Sequence, residues 1–362
     1  MKAGRARLGQ FRFAVRPRIR LRGLRLALHK GRLMKSRFPI WPALFLWLAG
    51  QAVAADLRVG MIGLDTSHAV EFTRRLNDPK DSNYVSGARV VVAIMGGSPD
   101  IPESRDRVAG YTKILREKYG VKIVDGIGPL LADSDVVMIE SLDGRPHLGE
   151  VTPVIEAGKP VFVDKPTAGS LRDVLEIYRL AKDHNVPIYS GSSLRFYPIL
   201  QRMKATDLGN LKGADSCGPA ELEPHHPDLF WYGIHATEAL YTIMGPGCES
   251  VVCSSTKDTH VVTGVWKDGK VGTLRGIRNG PAPYRVTIFG SKGFLDERLT
   301  GDYTPFLREV VKFFQTGIAP VSPEETIEIY AFMEAADESR RAGGCPVKIA
   351  DVLARNAAGA DH

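Results

Sequence analysis

The stretch Val136–Pro166, VVMIESLDGRPHLGEVTPVIEAGKPVFVDKP, decides the fold. Val136–Glu140 (VVMIE) is an apolar run short enough for a strand and apolar enough to be buried on both faces. His147–Ala157 reads as a helix, and Gly158 stops it. Val161–Val163 is a second buried strand, ending in Asp164-Lys165-Pro166. Two buried strands joined through one helix must run parallel, with a right-handed crossover.

The same alternation extends in both directions. Upstream, Asp56–Gly63 (DLRVGMIG) is a strand running into a glycine, and Ser67–Leu76 is a helix that Thr66 or Ser67 can cap. Arg89–Met95 is a β-branched strand, Ser104–Tyr119 a helix and Lys122–Val124 a short strand. Downstream, Ser170–His184 is a helix and Pro187–Ser190 a strand. This pattern predicts an α/β chain whose N-terminal part is a doubly wound parallel sheet of the Rossmann type, spanning residues 55–190.

After about Gly191 the rhythm changes. Thr259–Trp266 and Val271–Ile277 flank Asp268-Gly269, a hairpin signal, because that turn needs residues tolerant of positive φ. Tyr284–Phe289 and Phe294–Glu297 read as further strands, and Thr304–Gln315 and Pro323–Arg341 as helices. Residues 191–352 therefore read as an α+β domain with a mostly antiparallel open sheet, followed by a tail at 353–362.

Charge separates the N-terminus from the rest. The whole chain carries 48 Lys+Arg and 41 Asp+Glu. Thirteen of those basic residues and none of the acids lie between Met1 and Ala54, so Ala55–His362 is net −6. Nucleic-acid binding, which needs a basic surface, is excluded. From a start at Met34, Lys35 and Arg37 precede the apolar run Phe38–Ala49, and Ala52-Val53-Ala54 offers small residues for a signal peptidase. That order is a Sec-type signal peptide with cleavage before Ala55, and it predicts an exported protein, periplasmic or secreted; an uncleaved N-terminal anchor, or a cytoplasmic protein, is the alternative. A dozen apolar residues with two prolines are too few to span a bilayer of about 30 Å, so no stable membrane insertion is expected after cleavage. The cysteines Cys217, Cys248, Cys253 and Cys345 show no metal-type spacing; disulfides and small buried side chains both suit them.

Beyond these elements the sequence resembles a known family. Val136–Glu140, His147, Ala157-Gly158-Lys159 and Asp164-Lys165-Pro166 are similar to the signature of the Gfo/Idh/MocA oxidoreductases: a strand, a histidine opening a helix, Ala-Gly-Lys, and a strand ending Glu-Lys-Pro. The likeness continues at Gly233-Ile234-His235, Ile288–Gly293 and Glu334–Ser339, and covers roughly Leu57–Val352. It implies an NAD- or NADP-dependent oxidoreductase acting on a hydroxyl of a sugar, cyclitol or glycoside, and a homo-oligomer. It also implies that Lys165 stands beside the reacting oxygen, where an ammonium stabilises developing charge. Asp164 replaces the usual glutamate and can still orient Lys165. His235 matches the family histidine that moves the hydroxyl proton, a task suited to a pKa near neutrality. The aspartate expected four residues earlier is Trp231; Glu238, one turn later, either takes its place in orienting the imidazole or simply caps solvent. His225, His226, Arg195 and Tyr232 are the substrate-side candidates.

The cofactor loop departs from the pattern. A dinucleotide fold wants GxGxxG after its first strand, and the chain has Gly63-Leu64-Asp65-Thr66-Ser67-His68. Asp65 sets a carboxylate where a phosphate approaches, and two anions about 4 Å apart repel by several kcal/mol at an intermediate dielectric. These six residues, with Ser141, His147 and Asp164, are the expected cofactor contacts. No metal site is expected; Asp65, His68 and His147 are the set that comes nearest to one. A non-redox lyase or hydrolase on this fold, and a non-catalytic sugar-binding protein, are the alternatives.

Overall fold

The structure is a computed structural model and describes residues 55–357; the signal-peptide reading falls on residues outside that range. The chain begins with Leu57–Ile62 (β1), Ser67–Asn77 (α1), Ala88–Ile94 (β2), Pro102–Tyr119 (α2) and Lys122–Ile123 (β3). Ile127–Asp133 (α3), Val136–Ile139 (β4), His147–Glu156 (α4), Val161–Val163 (β5), Leu171–Asp183 (α5) and Ile188–Ser190 (β6) complete the first half. Its six strands form one parallel sheet in the order β3-β2-β1-β4-β5-β6. The order reverses between β1 and β4, and open α/β sheets bind ligands in that crevice, at the carboxyl ends of the strands.

Strand β4 shows why the sheet is covered on both faces. All four of its side chains are buried, and they alternate. Val136 and Met138 join a cluster with Phe72 of α1 and Leu115 of α2, whereas Val137 and Ile139 join one with Val151 of α4 and Val174 of α5. Helix α1 opens with Thr66 as N-cap, its hydroxyl accepting from the Ala69 N–H at 3.3 Å, a bond worth about 1 kcal/mol. Helix α3 is absent from the sequence reading, because Gly128 and Pro129 in its first turn hide it.

The second half opens with Pro198–Ala205 (α6), Leu211–Pro219 (β7), Gly233–Met244 (α7) and Cys248–Ser255 (β8). Thr259–Trp266 (β9), Val271–Ile277 (β10), Arg285–Gly290 (β11) and Gly293–Arg298 (β12) follow. Thr304–Thr316 (α8), Pro323–Arg341 (α9), Val347–Lys348 (β13) and Ile349–Ala357 (α10) end the described chain. The second sheet runs β12-β11-β7-β10-β9-β8-β13 and is antiparallel except for the β7–β10 pair. Residues 353–357 of the expected tail belong to α10, which starts at Ile349, and Val352 within it is fully buried; residues 358–362 lie outside the described range. Nor does α8 stay with its neighbours in sequence, since Phe306, Val310 and Phe313 pack into the core of the first sheet. All four cysteines are free. Among the described residues, no helix is long and apolar enough to cross a membrane.

Candidate active site

The segments that follow β1, β4, β5 and β6 and the start of α7 meet at a cavity of about 320 Å³. Thr66, Ser67 and His68 bring the N-terminus of α1 to its wall, Lys165 follows β5, and Tyr232 and His235 come from the start of α7. A helix N-terminus presents unpaired N–H groups and positive potential to whatever enters. The Lys165 ammonium lies 5.7 Å from the centre of the Tyr232 ring, and that ring is 5.8 Å from the His235 imidazole.

His235 Nδ1 is 2.7 Å from Ser192 Oγ, which also accepts from the Leu194 N–H at 3.3 Å. Burial, with the nearby positive charge of Lys165, holds the His235 pKa well below its ordinary value. The imidazole is therefore neutral and free to accept a proton. Asp164 is buried, with Oδ2 at 2.6 Å from His68 Nδ1. Burial alone would raise its pKa, but His68 and Lys165 outweigh that and keep Asp164 ionised below the usual carboxylate range. Glu140, ending β4 beside it, is fully buried, and neither of its oxygens has a hydrogen-bond partner.

The crevice between β1 and β4 is less open. Gly63 adopts φ +87°, and a Cβ there would overlap the Ser141 backbone, so the first glycine of the loop is required. Asp65, in place of the second, is fully buried; Oδ2 accepts from Ser104 Oγ at 2.6 Å and Oδ1 from the Leu142 N–H at 3.1 Å. Ser104 Oγ in turn accepts from the Ser98 N–H at 2.7 Å, and Ser98 Oγ donates to Asp143 Oδ2 at 2.6 Å. Arg145 binds Asp143 at 2.7 Å and Asp100 twice at 2.8 Å. Residues 96–101 leave β2 on one side of β1 and are bonded to the loop after β4 on the other, so they cross the end of β1 as a strap. A dinucleotide at this crevice finds room at its nicotinamide end, in the cavity beside Lys165 and His235. At its diphosphate and adenosine end it meets the strap and the Asp65 carboxyl, whose pKa burial raises.

The expected site residues separate accordingly. Lys165, His235, Tyr232, Thr66, Ser67 and His68 come together at the cavity. Leu64 is a core residue beside Val59 and Phe72. Ser141 Oγ donates to Glu150 at 2.8 Å. His147 is fully buried, its Nε2 at 2.9 Å from the Ser141 carbonyl oxygen and its Nδ1 at 3.3 Å from that of Thr167, so it joins two loops and faces no ligand. Asp65 and His147 are thus occupied elsewhere, and a metal set of Asp65, His68 and His147 does not assemble. Arg195, expected on the substrate side, is buried in ion pairs with Glu238 and, at 2.7 Å, with Glu325. That pairing also removes Glu238 as the orienting group for His235; Ser192 takes the position. His226 is a structural tie: Nδ1 sits 2.7 Å from Glu223, and Nε2 accepts from the Gly144 N–H at 3.1 Å. His225 stands outside, at 2.7 Å from Glu223 and 3.4 Å from Asp100. Trp231 packs on Ile101 and Leu142, backing the strap. Sequence reasoning missed Glu103 and Arg107 of α2, which reach the cavity wall because the strap brings α2 over it.

Residues 57–192 match the model of the Gfo/Idh/MocA oxidoreductase family, described by its NAD-binding Rossmann fold. Inositol 2-dehydrogenase 1 of Saccharopolyspora erythraea is 32% identical over 158 residues, 43% of this chain and 42% of that protein. The chain spans only 38% and 42% of the length of the curated relatives it matches. Among solved structures, myo-inositol 2-dehydrogenase from Lactobacillus plantarum superposes with a TM-score of 0.67 at 17% identity, covering 81% of this chain and 99% of that one. Scyllo-inositol dehydrogenase from Lactobacillus casei, with bound NAD(H) and scyllo-inositol, gives 0.65 at 16% identity, covering 82% and 100%. Both show that the two-domain fold is shared.

Proposed function

We propose that this chain, whose Rossmann domain is that of the Gfo/Idh/MocA oxidoreductases, catalyses hydride transfer between NAD or NADP and a hydroxyl-bearing carbon of a small polyol, a cyclitol or sugar. The observation that carries the reading is the convergence of Lys165 and His235 on one cavity at the strand ends. The inositol dehydrogenases among the relatives support the polyol class. When bound, the nicotinamide supplies the hydride acceptor.

The residues do the rest. Lys165 donates a hydrogen bond to the reacting oxygen and stabilises its negative charge as the proton leaves. With Nδ1–H donating to Ser192 Oγ, His235 presents Nε2 to take that proton. The Tyr232 ring lies 5.7 Å from the Lys165 ammonium, within cation–π reach, and helps to place it. No observation at the site or among the relatives favours the lyase, hydrolase or sugar-binding alternatives. The test is mass spectrometry of dinucleotide released from the denatured protein, with titration of NAD and NADP and a turnover panel of inositols and aldoses. Stoichiometric or saturable dinucleotide binding is expected; none up to millimolar concentration overturns the reading. Export is also proposed, on the signal-peptide pattern of residues 34–54, with a mature N-terminus at Ala55 that N-terminal sequencing checks. The expected homo-oligomer would form through the open face of the second sheet.

A further inference from the structure

We infer that His68, Glu140 and Asp164 form a binding site for a first-row divalent cation, Zn²⁺ or Mn²⁺, at the floor of the cavity. Nothing in the hydride-transfer reading requires it, so the two stand or fall separately. The three residues follow three adjacent strands: His68 lies in the first turn of α1, the helix after β1, Glu140 directly follows β4, and Asp164 directly follows β5. One ligand atom from each falls within 4.8 Å of the others. Donors sharing one ion at 2.0–2.2 Å per bond stand roughly 3–4 Å apart, so small side-chain rotations complete the set.

Glu140 is the observation that points to a ligand. Its side chain is fully buried, it aims into the cluster, and both oxygens lack any hydrogen-bond donor. A dehydrated carboxyl without a partner is costly and calls for an occupant. Lys165, on the same rim, is within hydrogen-bond reach of neither Glu140 oxygen. A proton shared with Asp164 would bring the two carboxyls within hydrogen-bond distance, and neither Glu140 oxygen has such a partner.

The donor set selects the ion. One imidazole nitrogen and two carboxylates suit borderline divalent metals; Ca²⁺ needs six to eight oxygens, and Mg²⁺ prefers oxygen ligands. The cation inserts between His68 Nδ1 and Asp164 Oδ2. His68 is 13% exposed and lines the cavity, which gives the ion a route in and leaves its remaining coordination positions facing the space beside Lys165.

The test uses the purified protein after chelator treatment, with no dinucleotide or polyol present. Zn²⁺ and Mn²⁺ are titrated by calorimetry, and bound metal is counted by mass spectrometry after desalting. One equivalent per chain is expected. Glu140→Gln should weaken binding at least about tenfold, the scale on which even supporting groups matter. Asp164→Asn should do the same, so the result does not depend on one variant folding, and circular dichroism establishes that each does. His225→Ala, altering an exposed histidine, should leave the stoichiometry unchanged. No uptake at millimolar metal, or uptake indifferent to both Glu140→Gln and Asp164→Asn, overturns the site. Because no cofactor is present, failure to bind dinucleotide leaves this result untouched.

Discussion

Lys165 and His235 share one cavity, and the first sets what the second can do. The ammonium helps to keep the imidazole neutral, and a neutral imidazole is what can accept a hydroxyl proton. Lys165→Ala should lower kcat/KM by about 10²–10⁴-fold, the range that positioned charge and proton transfer contribute. It should also move the acid limb of the pH profile upward, because one cause of the depressed His235 pKa is gone. In the unaltered enzyme kcat/KM should hold steady as pH falls through about 6.5, the ordinary histidine value, and decline only in more acidic solution. Steady-state rates between about pH 4.5 and 9 decide both points, and an acid limb at or above 6.5 counts against His235 as the base. Burial has a matching effect on stability. The unfolded chain takes up a proton on His235 near 6.5 and the folded chain does not, so this residue's contribution is complete above that pH and is lost below it. Ser192→Ala should leave binding nearly intact and lower kcat, since it removes the group that fixes the tautomer.

At the scale of elements, the strap formed by residues 96–101 controls how much of the crevice a dinucleotide can use. Its firmest anchor is the buried Ser98–Asp143 bond, and the half-exposed Asp100–Arg145 pair adds little. A hydrogen bond to a charged group is worth about 1.5–3 kcal/mol, so Ser98→Ala should raise the population of the open strap by roughly ten- to a hundredfold. If binding requires opening, apparent NAD(P) affinity rises by that factor, because affinity scales with the competent fraction. Calorimetric titration reads this directly, and unchanged affinity would mean the strap does not hinder the ligand. Such elements also mark the limit of what the sequence shows. The βαβ run at Val136–Val163 was plain, because buried strands and helices carry period and composition. The loop Gly63–His68 was visibly wrong for a diphosphate, but its composition could not say where Asp65 turns. That depends on Ser104 and Leu142, 39 and 77 residues away. Arg195 looked like a substrate ligand for the same reason: its partners Glu238 and Glu325 are remote in sequence. Glu140 read as the polar end of a strand, and only its neighbours in space reveal a carboxyl without a partner.

For the whole molecule, the two halves are interlocked rather than joined by a linker. Helix α8 lies after the second sheet in sequence, yet its aromatic face completes the core of the first. Phe306 meets Phe162 at 5.5 Å and Phe313 meets Tyr189 at 5.8 Å, both edge-on. Each such pair adds about 0.5–1.5 kcal/mol beyond the burial of its rings. Meanwhile α9 of the second half lies in one apolar cluster with Ile177 and Tyr178 of α5. A sheet that receives part of its cover from a distant segment cannot complete its core without that segment. The described chain should therefore unfold in one calorimetric transition, with no separate melting of the Rossmann part. Phe313→Ala should lower the stability of the whole by about 3–5 kcal/mol, shifting that single transition as a unit. A fragment of residues 55–190, lacking α8, should show no cooperative melting. If that fragment melts cooperatively, or if Phe313→Ala splits the transition in two, the halves are independent and the cavity between Lys165 and His235 is a mobile interdomain cleft.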